Sequence, residues 1–317
     1  MGFIKNLRAT IDCYPQHSGF LIAYSGGADS TALLHLVHSL YAKNIAIRAI
    51  HINHGIHKDS DKWQEHCQRS CQQLGVPLVV EQAQLKDSSE NSCRQARYGF
   101  FKQHLNKYEI LLTAHHAQDQ AETVLLKLLR GAGVKGLAGI DALKKFNHGF
   151  IARPLLTLQP QELQDYLHKK QIKWIEDDSN DDNSYKRNFI RNQIIPALQN
   201  TFPNAINNIT RSAKNSRQSL DLLQYLCDFQ GKALPISKLQ QLPQELQPTL
   251  LYHWLTYKSL PTADKVTLTQ ICHDFINAKV DRHPHYKNNY YQLFRWQDAI
   301  YCIKNFEVIN PTASYNW

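Results

Sequence analysis

Four short runs in this 317-residue chain carry residue types at spacings that chemistry can use. The first is Tyr24-Ser25-Gly26-Gly27-Ala28-Asp29-Ser30-Thr31, which follows an apolar run. Two glycines permit a tight turn and close approach of backbone to a ligand. Exposed N–H groups, a helix start and the hydroxyls of Ser25, Ser30 and Thr31 then make an anion site. The plain alternative is a glycine turn with Ser30 as a helix cap. The second run, His51-Ile52-Asn53-His54-Gly55, ends another apolar stretch. Alternation puts His51 and Asn53 on one face and leaves His54 at the tip, either as site residues or as satisfied strand-end histidines.

The third run is His115-His116-Ala117-Gln118-Asp119-Gln120-Ala121-Glu122-Thr123. With a helix starting near His116, Asp119 and Glu122 share a face, and two such carboxylates can hold a divalent cation, bind an ammonium group or take a proton. They can equally serve as partners of the helix dipole. A zinc site from His115, His116 and Asp119 is a weak reading, because adjacent histidines at a strand end do not point the same way. The fourth run joins an acidic turn, Glu176-Asp177-Asp178-Ser179-Asn180, to Arg187 and Arg191 at i, i+4 spacing. Those arginines suit phosphate contacts, or a salt bridge with the turn itself.

The elements that position these runs alternate. Residues 20–24, 45–52, 77–81 and 109–114 read as strands, and 30–42, 58–74 and 91–107 as helices. Repeated strand–helix–strand units predict an α/β fold with a doubly wound parallel sheet, with ligands at the strand C-terminal ends. All but the fourth run begin there. After Arg153-Pro154 the pattern is helical over 161–170, 185–198 and 204–228, and again over 265–278, with a strand-like, Tyr-rich end at 290–303. The expected organisation is a catalytic domain over 1–202, an amphipathic basic linker helix over 203–228 and a small, mostly helical C-terminal domain over 229–317.

Charge narrows the partner. Thirty-six Lys and Arg against 27 Asp and Glu favour a polyanion. No carboxylate occurs between Asn183 and Leu220, where Lys186, Arg187, Arg191, Arg211, Lys214 and Arg217 stand; a phosphate-binding stripe and a solvated helix face are both open. No run of about 18 apolar residues suggests a membrane span, and the first residues lack a signal-peptide layout. The seven cysteines are odd in number, scattered, and include no Cys-x-x-Cys. A reducing, cytoplasmic setting is expected, with Cys67 and Cys71 as buried small residues.

Ser-Gly-Gly-x-Asp-Ser after a strand resembles the PP-loop of the ATP pyrophosphatases, and no Walker A pattern occurs. In order along the chain, further pieces join it: His51-x-Asn53-His54-Gly55, Arg94-x-Ala96-Arg97-Tyr98, His115-His116-x-x-Asp119-x-x-Glu122-Thr123, Leu128-x-Arg130-Gly131-x-Gly133-x-x-Gly136-Leu137, Arg153-Pro154-Leu155-Leu156, and Asp177-x-Ser179-Asn180 with Arg187-Asn188 and Arg191. Together they resemble the tRNA(Ile)-lysidine synthetase family, strongly over about residues 18–200 and more thinly from Leu260 through Asp281-Arg282-x-Pro284 to Tyr301. His57 departs from the arginine common after the His-x-Asn-His-Gly run. Longer members carry another C-terminal domain, which leaves a short form and a truncated chain both open.

The resemblance implies a ligase. ATP adenylates the C2 carbonyl oxygen of the wobble cytidine in a tRNA(Ile) with a CAU anticodon, and free lysine then displaces AMP. It assigns ATP to Ser25, Gly26, Gly27, Ala28, Asp29 and Ser30, with His51, Asn53 and His115 lining the nucleotide edge and Asp29 near Mg²⁺ and the reacting phosphate. Asp119 and Glu122 would grip or deprotonate lysine, and Arg97 would take its carboxylate. Arg130, Lys135, Arg187, Arg191, Arg211, Lys214 and Arg217 would hold tRNA phosphates or ATP. Monomer and homodimer are both open. Two other readings stand beside it: a PP-loop tRNA 2-thiolation enzyme, which would need reactive cysteines, and a nucleotide- or RNA-binding module without chemistry.

Overall fold

The structure is a computed structural model and describes residues 2–83, 90–177, 182–227, 233–278 and 282–305. Asp178, Ser179, Asn180 and Asp281, named above, and the end of the expected linker helix at residue 228 lie outside the described residues. The chain forms two compact units, residues 1–217 and 218–317.

In the first unit the elements run α1 (Gly2–Asp12), β1 (Gly19–Ala23), α2 (Ala28–Tyr41), β2 (Ala46–Asn53), α3 (Ser60–Leu74), β3 (Leu78–Gln82), α4 (Glu90–His104), β4 (Glu109–Leu112), α5 (Ala117–Leu128), α6 (Val134–Leu137), β5 (Leu143–Phe146), β6 (Gly149–Ala152), α7 (Pro160–Lys169), α8 (Lys186–Phe189), a π-helical turn (Ile190–Ile194), α9 (Ile195–Thr201) and α10 (Ala205–Cys227), whose last turns pass into the second unit. The sheet order is β3-β2-β1-β4-β6-β5. β1 pairs in parallel with both β2 and β4, and β6 runs parallel to β4. After β1 the chain adds strands to one side and then, with β4, to the other. The crevice beyond the C-terminal ends of β1 and β4 is therefore the topological switch point where ligands bind in such sheets.

β1 has the apolar run Gly-Phe-Leu-Ile-Ala because both its faces are covered. Phe20 and Ile22 join one core with Leu33, Leu36 and Val37 of α2 and Leu163 and Leu167 of α7. Leu21 points the other way, to Phe101 of α4 and Leu105 just after it. Each such fully buried side chain contributes about 1.5 to 3 kcal/mol through removal of apolar surface from water. At the opposite end of the strands from the crevice, Arg48 of β2 donates to both carboxylate oxygens of Glu109 of β4, at 3.0 and 2.7 Å.

Three features depart from the sequence expectations. α1 was not foreseen, yet its Leu7 and Ile11 are buried in the main core. β5 and β6 form an antiparallel hairpin, so the sheet is not wholly parallel. Its turn holds Asn147 at φ 50°, a left-handed position that Asn tolerates, and exposed Lys144 and Lys145 charge the sheet edge against pairing with another chain. The helix expected over 185–198 is a composite of α8, the π-helical turn and α9.

The second unit carries β7 (Ala233–Pro235), α11 (Ile236–Gln240), α12 (Gln247–Tyr257), α13 (Lys265–Asn277), β8 (His285–Lys287), β9 (Tyr291–Trp296) and β10 (Ala299–Lys304). Its antiparallel sheet has the order β7-β10-β9-β8, so helices share this unit with a small sheet. Trp254, Leu255, Ile271, Phe275, Tyr291, Leu293 and Ile300 are among its buried residues.

Candidate active site

The loop between β1 and α2 is held in shape by its own backbone and hydroxyls. Gly26 sits at φ 88°, where a side chain is strained, and a Cβ there would strike the Ile175 side chain. Gly26 O accepts from Thr31 Oγ1 at 3.1 Å and from the Ile175 backbone N at 2.9 Å. Ser30 Oγ donates to Gly27 O at 3.1 Å and accepts from Ser25 N at 3.2 Å, and the Ser25 and Ser30 hydroxyls are 3.0 Å apart. Gly27 caps α2 without a side-chain hydrogen bond, which leaves the first N–H groups of the helix for an anion. Asp29, in the first turn, is 40% exposed at its side chain.

His51 and Asn53 part company. His51 is buried, and its Nδ1 lies 3.0 Å from Tyr24 O, which orients the ring beside the loop. Desolvation lowers its pKa against the opposing hydrogen bond to Tyr24. Asn53 is committed to structure: its amide donates to Asp61 Oδ1 and Gln64 Oε1, both at 3.1 Å, and its oxygen accepts from Gly55 N at 2.9 Å. On α4, Arg94 stacks over Tyr98 at 5.0 Å from the ring centroid. The Arg97 charge helps keep the His54 pKa below its ordinary value, after the larger effect of desolvation.

α5 begins at the end of β4, and His116 makes its N-cap. The ring Nδ1 accepts from the Asp119 backbone N at 3.4 Å, while Asp119 Oδ2 accepts from the His116 backbone N at 2.9 Å. The other ring nitrogen, Nε2, lies 3.4 Å from Asp29 Oδ2. His116 thus joins the glycine loop to the acidic face of α5. Desolvation lowers its pKa, but the hydrogen bond to Asp29 and the charges of Asp119 and Asp29 outweigh it and raise the value above 6.5. In His115 desolvation prevails, with Asp119 opposing it and Arg153, Arg187 and Arg94 adding to it, so the ring stays neutral. Its Nδ1 is 3.0 Å from Thr113 Oγ1.

Asp119 and Glu122 do share a face, and that face is filled by the two arginines. Arg187 Nε donates to Glu122 Oε2 at 2.7 Å and its Nη2 to Asp119 Oδ1 at 2.8 Å. Arg191 Nε donates to Glu122 Oε1 at 2.6 Å and its Nη2 to Glu122 Oε2 at 3.1 Å and Asp119 Oδ1 at 3.2 Å. The Glu122 side chain is 0% exposed, and those of Arg187 and Arg191 are 23% and 28% exposed. Burial pushes the Asp119 pKa up, but the charges of His116 and Arg187 and the hydrogen bond from the His116 backbone hold it below the usual carboxylate value. The residues read from sequence as phosphate ligands and those read as amine ligands are therefore one cluster.

The remaining basic candidates lie elsewhere. Arg130 follows α5, and Lys135 sits in the short α6, where burial lowers its pKa and Lys144, Arg217 and Lys127 lower it further against Asp141. Arg217 pairs with Asp141, whose backbone oxygen also accepts from Arg153 Nη1 at 2.7 Å. Arg211 and Lys214 stand on the same helix, α10, as Arg217. Sequence reasoning gave His116 only the weak zinc reading and assigned no site role to Ile175, Asp141 or Lys144. The His–Asp pattern at the start of α5 is a capping signal, but with histidine as cap it is unlike the usual Ser/Thr form. Ile175 carried none. Cys67 and Cys71 are buried, and burial pushes both thiols up to about 12, which makes them poor thiolates. Among the described residues no group of three His, Cys, Asp or Glu forms a metal cluster.

A family model described as a PP-loop domain matches residues 3–198, and one described as the TilS substrate binding domain matches residues 234–301. The solved U34-tRNA thiolase NcsA from Methanococcus maripaludis is similar in fold, with TM-score 0.54 and 18% identity over 68% of this chain and 78% of that one. Curated relatives are much nearer in sequence. A tRNA(Ile)-lysidine synthase of Actinobacillus succinogenes is 38% identical over 92% of this chain and 71% of its own length, and one of Coxiella burnetii is 36% identical over 99% and 72%. With both domain models in order and identity sustained along nearly the whole length, the chain belongs to the tRNA(Ile)-lysidine synthase family.

Proposed function

We propose that this chain forms lysidine on tRNA(Ile), using ATP and free lysine. The cytidine C2 oxygen attacks the α-phosphorus of ATP and releases pyrophosphate. The lysine amine then attacks C2, and AMP leaves with that oxygen. A pyrimidine carbonyl oxygen is a poor leaving group until it is joined to AMP. The observation that carries the reading is the junction at His116, whose ring lies 3.4 Å from Asp29 beside the anion-binding loop and whose backbone N donates to Asp119 of the buried acidic pair, at the switch point of the sheet. A nest for phosphates beside carboxylates for an amine is the combination that two-stage ligation requires.

In this reading residues 25–30 hold the triphosphate through backbone N–H groups and hydroxyls, and neutral His51 and His115 line the nucleotide edge. Asp119 and Glu122 bind the substrate ammonium or take its proton; lysine has an ordinary pKa of about 10.4 and must lose that proton to attack. Arg97 takes the substrate carboxylate. Arg130, Lys135, Arg211, Lys214 and Arg217 hold tRNA phosphates, and Arg187 and Arg191 hold phosphate as well. Asp29, partly exposed beside the loop, fits a Mg²⁺ bound by one carboxylate and substrate phosphates. The ion would supply charge neutralisation of the leaving pyrophosphate. A cytoplasmic setting fits the free thiols, and no helix among the described residues is long and apolar enough to cross a membrane.

The thiolation alternative is less well supported: the chain has no Cys-x-x-Cys, and Cys67 and Cys71, the most closely spaced thiols, are buried. The test is the nucleotide product. Purified protein with ATP, Mg²⁺, lysine and tRNA(Ile) should yield AMP and pyrophosphate in step with tRNA modification. ADP and phosphate, or no cleavage by folded protein, would refute the reading.

A further inference from the structure

The arrangement at α5 poses a conflict. Every carboxylate oxygen of the acidic pair already accepts a hydrogen bond: Glu122 Oε1 from Arg191, Glu122 Oε2 from both arginines, Asp119 Oδ1 from both arginines and Asp119 Oδ2 from the His116 backbone. Two negative charges face two guanidinium groups, and an incoming ammonium would be a third cation against two filled carboxylates. Like charges at such separations repel, and a guanidinium that left these buried carboxylates without another anion to meet would lose its pairing, which is costly.

That other anion has a place nearby. The glycine loop offers its N–H groups to phosphates, and His116 ties the loop to this same cluster through Asp29. Arg191 also feels the Asp29 charge, which puts it within electrostatic reach of the loop. Arginine meets phosphate oxygens in the same two-pronged way it meets a carboxylate. Both arginine side chains are about a quarter exposed, so each has a free side toward solvent. Arg191 lies in the π-helical turn, an irregularity of the kind often found at functional sites, whereas Arg187 stands on the short helix before it.

We propose that Arg187 and Arg191 lock the amine site and that the nucleotide's phosphates draw them off, so that the substrate amine binds only after the nucleotide. The inference rests on the reading of Asp119 and Glu122 as the lysine site. It explains why residues suited to phosphate and residues suited to ammonium are found paired: they are the two halves of one exchange. Phosphates take the guanidinium groups, and the vacated carboxylates take the ammonium.

Calorimetry on the full chain tests this, titrating L-lysine with Mg²⁺ present, with and without the non-cleavable analogue α,β-methylene-ATP. Lysine affinity should rise about tenfold or more with the analogue, and by linkage lysine should tighten the analogue by the same factor. Inorganic tripolyphosphate should give a shift of the same sign, whereas adenosine should not. Arg191→Met should bind lysine about tenfold more tightly than wild type without nucleotide. Equal lysine affinity with and without the analogue overturns the lock and leaves the lysine site standing. Lysine binding in neither condition overturns both. The wild-type comparison decides the matter even if the variant fails to fold.

Discussion

His116 is the residue at which the nucleotide loop and the acidic pair meet, and its charge state sets how firmly they are joined. Its pKa is raised in the folded protein, so the protonated ring, whose Nδ1 exchanges the long 3.4 Å contact with the Asp119 amide for the Asp119 carboxylate 3.6 Å away, adds stability fully below about pH 6.5, and that contribution fades as pH rises through the raised value. Thermal stability should therefore fall on the alkaline side of pH 6.5, and His116→Gln should flatten that slope; an unchanged slope would contradict the pairing with Asp29 and Asp119. Asp119 has the opposite sign. Its depressed pKa gives stability above pH 3.8 that is lost as pH falls below that value. Glu122→Gln leaves two guanidinium groups over one carboxylate, and breaking a buried pair in this way costs about 3 to 5 kcal/mol. We expect a lower Tm and a raised KM for lysine, with ATP affinity retained; a variant with normal lysine KM would remove Glu122 from the amine site.

Among the elements, the glycine loop is the one whose geometry tolerates least. Gly26→Ala meets a left-handed φ and the Ile175 side chain, a strain of about 1 to 3 kcal/mol that should appear mainly as lost nucleotide affinity. The Arg48–Glu109 pair offers the contrast, because it sits at the far end of the strands. Glu109→Gln should lower Tm and leave kcat near wild type, and a large fall in kcat would show that the two ends of the sheet are coupled. The strands and helices of the first half were legible in sequence because their apolar periods are local, and so was the loop, whose Gly-Gly-x-Asp-Ser follows directly on a strand. The pairing of Arg187 with Glu122 was not, since it spans 65 residues and charge alone does not name its partner. α1 and the β5–β6 hairpin were missed for a similar reason: their few buried residues are chosen by the core they join.

For the whole molecule the account predicts that affinity for tRNA is carried in part by a basic surface on the first unit, formed by Lys127, Lys135, Lys144 and Arg217 around Asp141, with Arg211 and Lys214 on the same helix as Arg217. Lys135→Ala and Lys214→Ala should each weaken tRNA binding and lower the slope of log affinity against log salt by about one, while lysine affinity is unchanged. No change in salt slope would place the RNA elsewhere. The central claim is the reaction itself, and its most direct test is transfer of labelled lysine to tRNA(Ile) with a CAU anticodon, beside the methionine tRNA with the same anticodon and an Asp29→Ala control. The account predicts label in tRNA(Ile) alone, reduced about a hundredfold or more by the substitution. Folded protein that places no lysine in that tRNA, or places it there equally well without Asp29, would contradict it.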